Sequence, residues 1–140
     1  MKSVIICCSI SAADRAIEVQ KELKVMGFTV EVPHGVKKYQ NNNCVHVSES
    51  ERAADKIEHD LIKRYYEKIK EYDIVLVVNT EKNGIKNYIG ANTFLEMGFA
   101  HVLGKDLAIL NPVPQSSYID EIEAMKPLVL NGDLELLKKF

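Results

Sequence analysis

Apolar residues fall into two patterns along this chain. Short unbroken runs, rich in β-branched residues, occur at "SVIICC" (Ser3–Cys8), "DIVLVVN" (Asp73–Asn79) and "DLAILN" (Asp106–Asn111). Between them lie longer stretches in which apolar positions recur every three or four residues. The first pattern predicts strands buried on both faces, the second amphipathic helices. After the first run, Ala16, Val19, Leu23 and Met26 repeat at helical spacing, Ser11 and Asp14 form a capping-box pair, and Gly27 sits where a C-terminal glycine belongs. "FTVEVP" predicts a second strand, stopped by Pro33.

From His34 to Val47 the chain is polar, with Asn41, Asn42 and Asn43 in succession, and reads as a long loop. Ser48 with Glu51, or Ser50 alone, caps the next predicted helix, whose face is Ile57, Leu61, Tyr65 and Ile69. After the "DIVLVVN" strand comes a loop with two glycines, "TEKNGIKNYIGA". A helix "NTFLEMGFAHVLG" follows, with Asn92 as its expected cap and Gly104 at its end. "DLAILN" is broken by "PVP". Then come a short helix in "SSYIDEIEAM" with Ser117 and Asp120 at its start, a weak strand "PLVL", a turn "NGD" and a terminal helix "LELLKKF".

Strands alternate with helices throughout, and no repeat, linker or low-complexity segment interrupts them. The expectation is a single α/β domain over residues 1–140, a doubly wound parallel sheet of five strands. In such open sheets ligands bind outside the carboxyl ends of the strands. The loops at that edge begin near Ser9, His34, Thr80 and Asn111.

Composition narrows the function without naming it. Apolar residues make up 46% of the chain and charged residues 27%, as in ordinary globular proteins. The net charge of -2 carries no basic footprint for a nucleic-acid polymer. No apolar run is long enough to span a membrane, and no signal-peptide pattern is seen, so a cytoplasmic location is expected and no membrane partner. Cys7, Cys8 and Cys44 form no disulfide framework and no metal-binding spacing. His34, His46, His59 and His101 lack the helical pairing of a zinc site.

Three segments at the expected crevice carry candidate chemistry. Ser9 and Ser11 offer hydroxyls beside the free N–H groups that begin a helix, an arrangement suited to an anion, although Ser11 also suits a purely capping role. No glycine-rich dinucleotide or P-loop pattern accompanies them. In the second segment Lys82, Lys86, Asn87 and Tyr88 can contact a phosphate or a base, or form a solvated surface loop. The third is Glu96, a carboxylate in an otherwise apolar helical run, with Thr93 three residues earlier on the same face. Burying an ionised glutamate is costly unless it is paired or opens onto a site. Glu96 is therefore either an edge carboxylate or a group kept for chemistry.

The stretch "GANTFLEMGFAHVLGK", preceded by "YDIVLVVN" and followed by "LAILNP", resembles the nucleoside 2-deoxyribosyltransferase superfamily, with its Glu-x-Gly-x-Ala helix and a Gly-Lys before the next strand. "ICCSIS" is similar to the Cys-Gly-Ser-Ile-Arg-Gly stretch of the 2'-deoxynucleoside 5'-phosphate N-hydrolase branch. The resemblance implies a flavodoxin-like fold with strand order 2-1-3-4-5, and an oligomer in which a neighbour completes the site. It implies that Glu96 is the catalytic carboxylate, that Ser9 helps to hold a 5'-phosphate and that Thr93 shapes the pocket. The chain departs from the family at three positions. Gly90 stands where the transferases have an aspartate and the hydrolase branch a serine, Asn79 where the transferases have an acidic residue for the base, and Ile5 where a tyrosine orients the glutamate.

The function expected on this basis is cleavage of the base–sugar C–N bond of a nucleoside or nucleoside 5'-monophosphate, by hydrolysis or by transfer to a second base. Glu96 is the catalytic residue; Ser9, Ser11, Asn79, Lys86, Tyr88, Gly90, Asn92 and Thr93 are the candidate substrate-binding residues. Such chemistry calls for no metal and no redox cofactor. The alternative is a non-catalytic nucleotide-binding or sensing domain on the same fold. Apolar Leu134, Leu137 and Phe140 in the terminal segment are a second reason to expect self-association.

Overall fold

The computed structural model describes residues 2–41 and 60–140. Five strands form one all-parallel sheet: β1 (Ser3–Cys7), β2 (Thr29–Glu31), β3 (Ile74–Val77), β4 (Asp106–Ile109) and β5 (Leu128–Val129), in the order 2-1-3-4-5. Among the described residues the helices are α1 (Ala13–Val25), α2 (His34–Asn41), α3 (Leu61–Glu71), α4 (Ala91–Val102) and α5 (Ile119–Ala124), with 3-10 turns at Ile10–Ala12 and Leu134–Lys139. This is the flavodoxin-like arrangement.

Strand alternation sorts the core into two layers. Val4, Ile6, Ile74, Leu76 and Ala108 point to one face, where Ala16, Val19 and Leu23 of α1 cover them. Ile5, Cys7, Val75, Val77 and Ile109 point to the other, under Tyr65 and Ile69 of α3, Met97 and Ala100 of α4 and Ile122 of α5. Successive side chains of a strand alternate faces, so "VIIC" feeds both layers at once. That is why these strands read as continuous apolar runs.

The structure corrects several local expectations. His34–Asn41 is helical, not the first part of a loop. Pro33 ends the β2 segment, and its carbonyl accepts from Lys37 N at 3.0 Å in the first turn of α2. The predicted caps Ser48, Glu51 and Ser50, the face residue Ile57, and His46, His59 and Cys44 lie outside the described residues. Helix α3 carries the predicted face residues Leu61, Tyr65 and Ile69 and has Asp60 at its N-cap, whose carboxylate accepts from Lys63 N. The capping box of Ser11 with Asp14 does not form. Ser9 and Ala12 take the N-cap positions without side-chain capping bonds, and Asp14 accepts from Tyr39 of α2. Asn92 is not the cap of α4; Gly90 is, with extended backbone. Tyr118, not Ser117, precedes α5.

The terminal segment is a 3-10 turn capped by Asp133. Leu134 and Leu137 are buried, and Phe140 packs on the same cluster. The chain itself covers these three residues, so they give no reason to expect self-association. No helix among the described residues is long and apolar enough to cross a membrane.

Candidate active site

A cavity of about 470 Å³ opens at the carboxyl edge of the sheet, within the usual size range of small-molecule sites. Four elements converge on it: the end of β1, the start of α2, Leu61 and Tyr65 of α3, and the segment from Lys82 into α4. Because all strands are parallel, their carboxyl ends and the helix starts that follow share one edge.

Glu96 lines this cavity from the second turn of α4, half-buried, with Thr93 three residues before it on the same wall. The neighbouring face of the helix fixes this orientation. Met97 and Ala100 are buried in the layer below, which leaves Glu96 with Thr93 at the crevice. Ser9 lines the same cavity at the end of β1, and its hydroxyl lies 2.9 Å from that of Ser11. Tyr88, Gly90 and Asn92 also line it. Of the nine expected site residues, the cavity brings together Glu96, Ser9, Tyr88, Gly90, Asn92 and Thr93.

Three do not line it. Ser11 is exposed and reaches the site only through Ser9. Lys86 is exposed, outside the lining. Asn79 is fully buried with its amide engaged: it donates to the carbonyls of Asn111 and Pro112 at 3.1 Å each and of Asn87 at 3.4 Å, and its Oδ1 accepts from Asn111 N at 2.9 Å. Asn79 joins the ends of β3 and β4 to the loop that carries Tyr88.

Other lining residues were not singled out as site residues from the sequence. Tyr65 of α3 reads as a core residue by its spacing, and it is buried, yet its edge reaches the cavity while its hydroxyl donates to the carbonyl of Ile6. Cys8 and His34 line the wall as well. Lys82, one of four residues named in its loop, takes the place expected for Lys86. No periodicity marks Lys82 over Lys86. The choice is made by a tight turn in which Lys82 and Ile85 exchange backbone hydrogen bonds at 3.0 and 2.9 Å.

The electrostatics follow from burial beside a carboxylate. Burial pushes the Cys8 thiol up to about 12, and the negative charge of Glu96 adds to the shift. Cys7 is raised for the same two reasons in the same order, with Cys8 a further contribution. Tyr65 is raised by burial first and then by the negative charges facing it, Glu96 among them. Both shifts favour the protonated thiols and so weaken them as nucleophiles. The carboxylate of Glu96 lines the same cavity as Cys8 and Tyr65. Among the described residues no cluster of three or more histidine, cysteine or acidic side chains could hold a metal ion.

No protein-family model matches this chain, and no curated protein matches it.

Proposed function

We propose that the protein cleaves the base–sugar bond of a nucleoside or nucleoside 5'-monophosphate, with Glu96 as the nucleophile. The observation that supports this most is that Glu96 and Ser9, which the sequence separates by most of the chain, face one cavity at the carboxyl edge of a flavodoxin-like sheet. The resemblance to the nucleoside 2-deoxyribosyltransferase superfamily puts the catalytic carboxylate at this place.

In the first step a Glu96 oxygen bonds to C1' while the C1'–N bond breaks. The electron pair stays on the base nitrogen, which takes a proton from solvent. The transition state has oxocarbenium character, and a nearby carboxylate stabilises it. Water then hydrolyses the ester and regenerates Glu96; a second base in place of water gives transfer. On this reading the protein also self-associates, and sedimentation at micromolar concentration should show a species larger than the 15.8 kDa chain.

The test is chromatographic detection of free base from paired purine and pyrimidine deoxynucleosides and their monophosphates, with and without an acceptor base. Glu96→Gln keeps the shape and removes the charge. Turnover should fall by several orders of magnitude while ligand affinity changes little. Turnover undiminished by this change removes Glu96 from the role. No release by the wild type from any substrate favours a nucleotide-binding or sensing domain.

A further inference from the structure

We propose that Asn83 is a site of spontaneous chemical modification: its side-chain amide is lost to attack by the Gly84 nitrogen, and the isoaspartate that results opens the tight turn at the rim of the cavity. This stands apart from the base-release reading and does not depend on it.

The chain holds two Asn-Gly pairs, Asn83-Gly84 and Asn131-Gly132. Asparagine is a chemically labile residue, and a following glycine puts no Cβ beside the attacking nitrogen. As dipeptides the two pairs are the same. Both are exposed, and both have two positive φ values in succession: 50° and 80° at the first, 49° and 81° at the second. The space around both glycines is open, with no atom within 4 Å of an added Cβ. Sequence, exposure and crowding therefore give no reason to prefer one pair over the other.

The fold separates them by what each glycine N–H does. Gly132 N donates to Leu110 O at 2.9 Å, and the residues on either side are fastened too: Leu130 N to Ile109 O at 2.8 Å and Asp133 N to Leu130 O at 2.9 Å. The Gly132 nitrogen is thus tied to the end of β4, and that bond must break before it can turn on its own asparagine. Gly84 N makes no backbone hydrogen bond among the described residues. Lys82 and Ile85 close the turn on either side and leave this nitrogen unspent.

The chemistry needs only water. The Gly84 nitrogen gives its proton to solvent and bonds to Cγ of Asn83. The Cγ–Nδ2 bond breaks, and the amide nitrogen takes up a proton and leaves as ammonia. A succinimide ring remains. Water then adds to one of its two carbonyl carbons, and the C–N bond at that carbon breaks. Opening at Cγ gives aspartate; opening at the main-chain carbon gives isoaspartate, with the chain routed through Cβ and Cγ. The isoaspartate puts one extra main-chain carbon between Lys82 and Ile85. Those two residues exchange backbone hydrogen bonds at 3.0 and 2.9 Å across a turn of fixed reach, so the added atom forces the pairing apart. Lys82 and Tyr88 line the cavity with the Lys82 ammonium 5.1 Å from the centre of the Tyr88 ring, so the lesion acts on the cavity wall.

The experiment ages the purified protein in warm, mildly alkaline buffer, with a parallel sample held unfolded in urea. Peptide mapping by mass spectrometry follows amide-to-acid conversion at both Asn-Gly pairs and separates isoaspartate from aspartate. In the folded protein Asn83 should convert about threefold to tenfold faster than Asn131, the ratio that one protecting hydrogen bond supplies. In urea the two should convert at similar rates. The isoaspartate form, separated by ion exchange, should show faster amide hydrogen exchange across residues 82–88 and none of this change in β1 or α1. Freshly prepared Asn83→Asp protein should keep the wild-type exchange, because it carries the new charge without the extra carbon. Conversion at Asn131 that equals or exceeds that at Asn83 in the folded protein overturns the proposal. So does an Asn83 that stays intact while the urea sample converts, or a preference that persists in urea. Exchange across 82–88 that isoaspartate leaves unchanged, or that Asn83→Asp reproduces, overturns the opening of the turn.

Discussion

Single side chains at the sheet edge play two parts at once. Tyr65 closes the core above Ile5 and Cys7 and also reaches the cavity wall near Glu96. Its hydroxyl satisfies the buried carbonyl of Ile6, one residue before the end of β1. Tyr65→Phe leaves that carbonyl without this donor, and a buried polar group deprived of its partner costs about 1–3 kcal/mol. Urea denaturation should show a loss of that size. Base release should fall less than in Glu96→Gln, because the hydroxyl acts through the backbone. Asn79 shows the reverse case, a polar residue in a strand run that looks like a ligand contact in one dimension. Its amide is spent on Asn111, Pro112 and Asn87. Nothing in its neighbours along the chain distinguishes the two roles, since its partners lie 8 to 33 positions away.

At the scale of elements, Glu31 ties together two helices that wall the cavity. It accepts from Lys37 of α2 at 2.5 Å and from Lys68 of α3 at 2.8 Å. Burial raises the Glu31 pKa, but the hydrogen bonds and charges of the two lysines outweigh it and hold the group below its ordinary 4.5. A depressed acid stabilises the fold above its unfolded pKa and loses that contribution as pH falls through the folded value. Glu31→Gln should therefore destabilise the protein at pH 7 by ~1 kcal/mol, a modest value because both ammonium groups face solvent. Melting curves should show the gap between wild type and variant closing below about pH 4.5. A gap that stays constant to pH 3 would assign the loss to packing. The helical start of α2 places His34 and Val36 at the cavity, a consequence invisible in a segment whose composition resembles a loop.

Across the whole molecule, the chain terminus packs into one of the two apolar layers. Leu137 is 1% exposed and packs with Leu130, Leu110 and Val4. Leu137→Ala should lower stability by about 2–5 kcal/mol, the range for a large-to-small change in a core. Sedimentation of the folded variant should be unchanged, because the residue faces inward. A variant with wild-type melting but altered association would instead put the terminal segment at an interface.

The architecture is legible in local patterns along the chain. Continuous β-branched runs and 3.6-residue periodicity are local signals, and alternating them leaves a parallel doubly wound sheet as the solution that buries every strand. The position of Glu96 was legible for the same reason: a carboxylate set into an apolar helix breaks a local pattern. Tertiary structure alone decided which polar residues share a space. Ser9, Lys82, Tyr88 and Glu96 meet because strand order puts β1 beside β3 and a tight turn swings Lys82 rather than Lys86 over Tyr88. It also decided that Asn79 faces protein and that Leu134 and Leu137 need no partner. Those outcomes depend on contacts between residues far apart in the chain, and periodicity carries no information about distant neighbours.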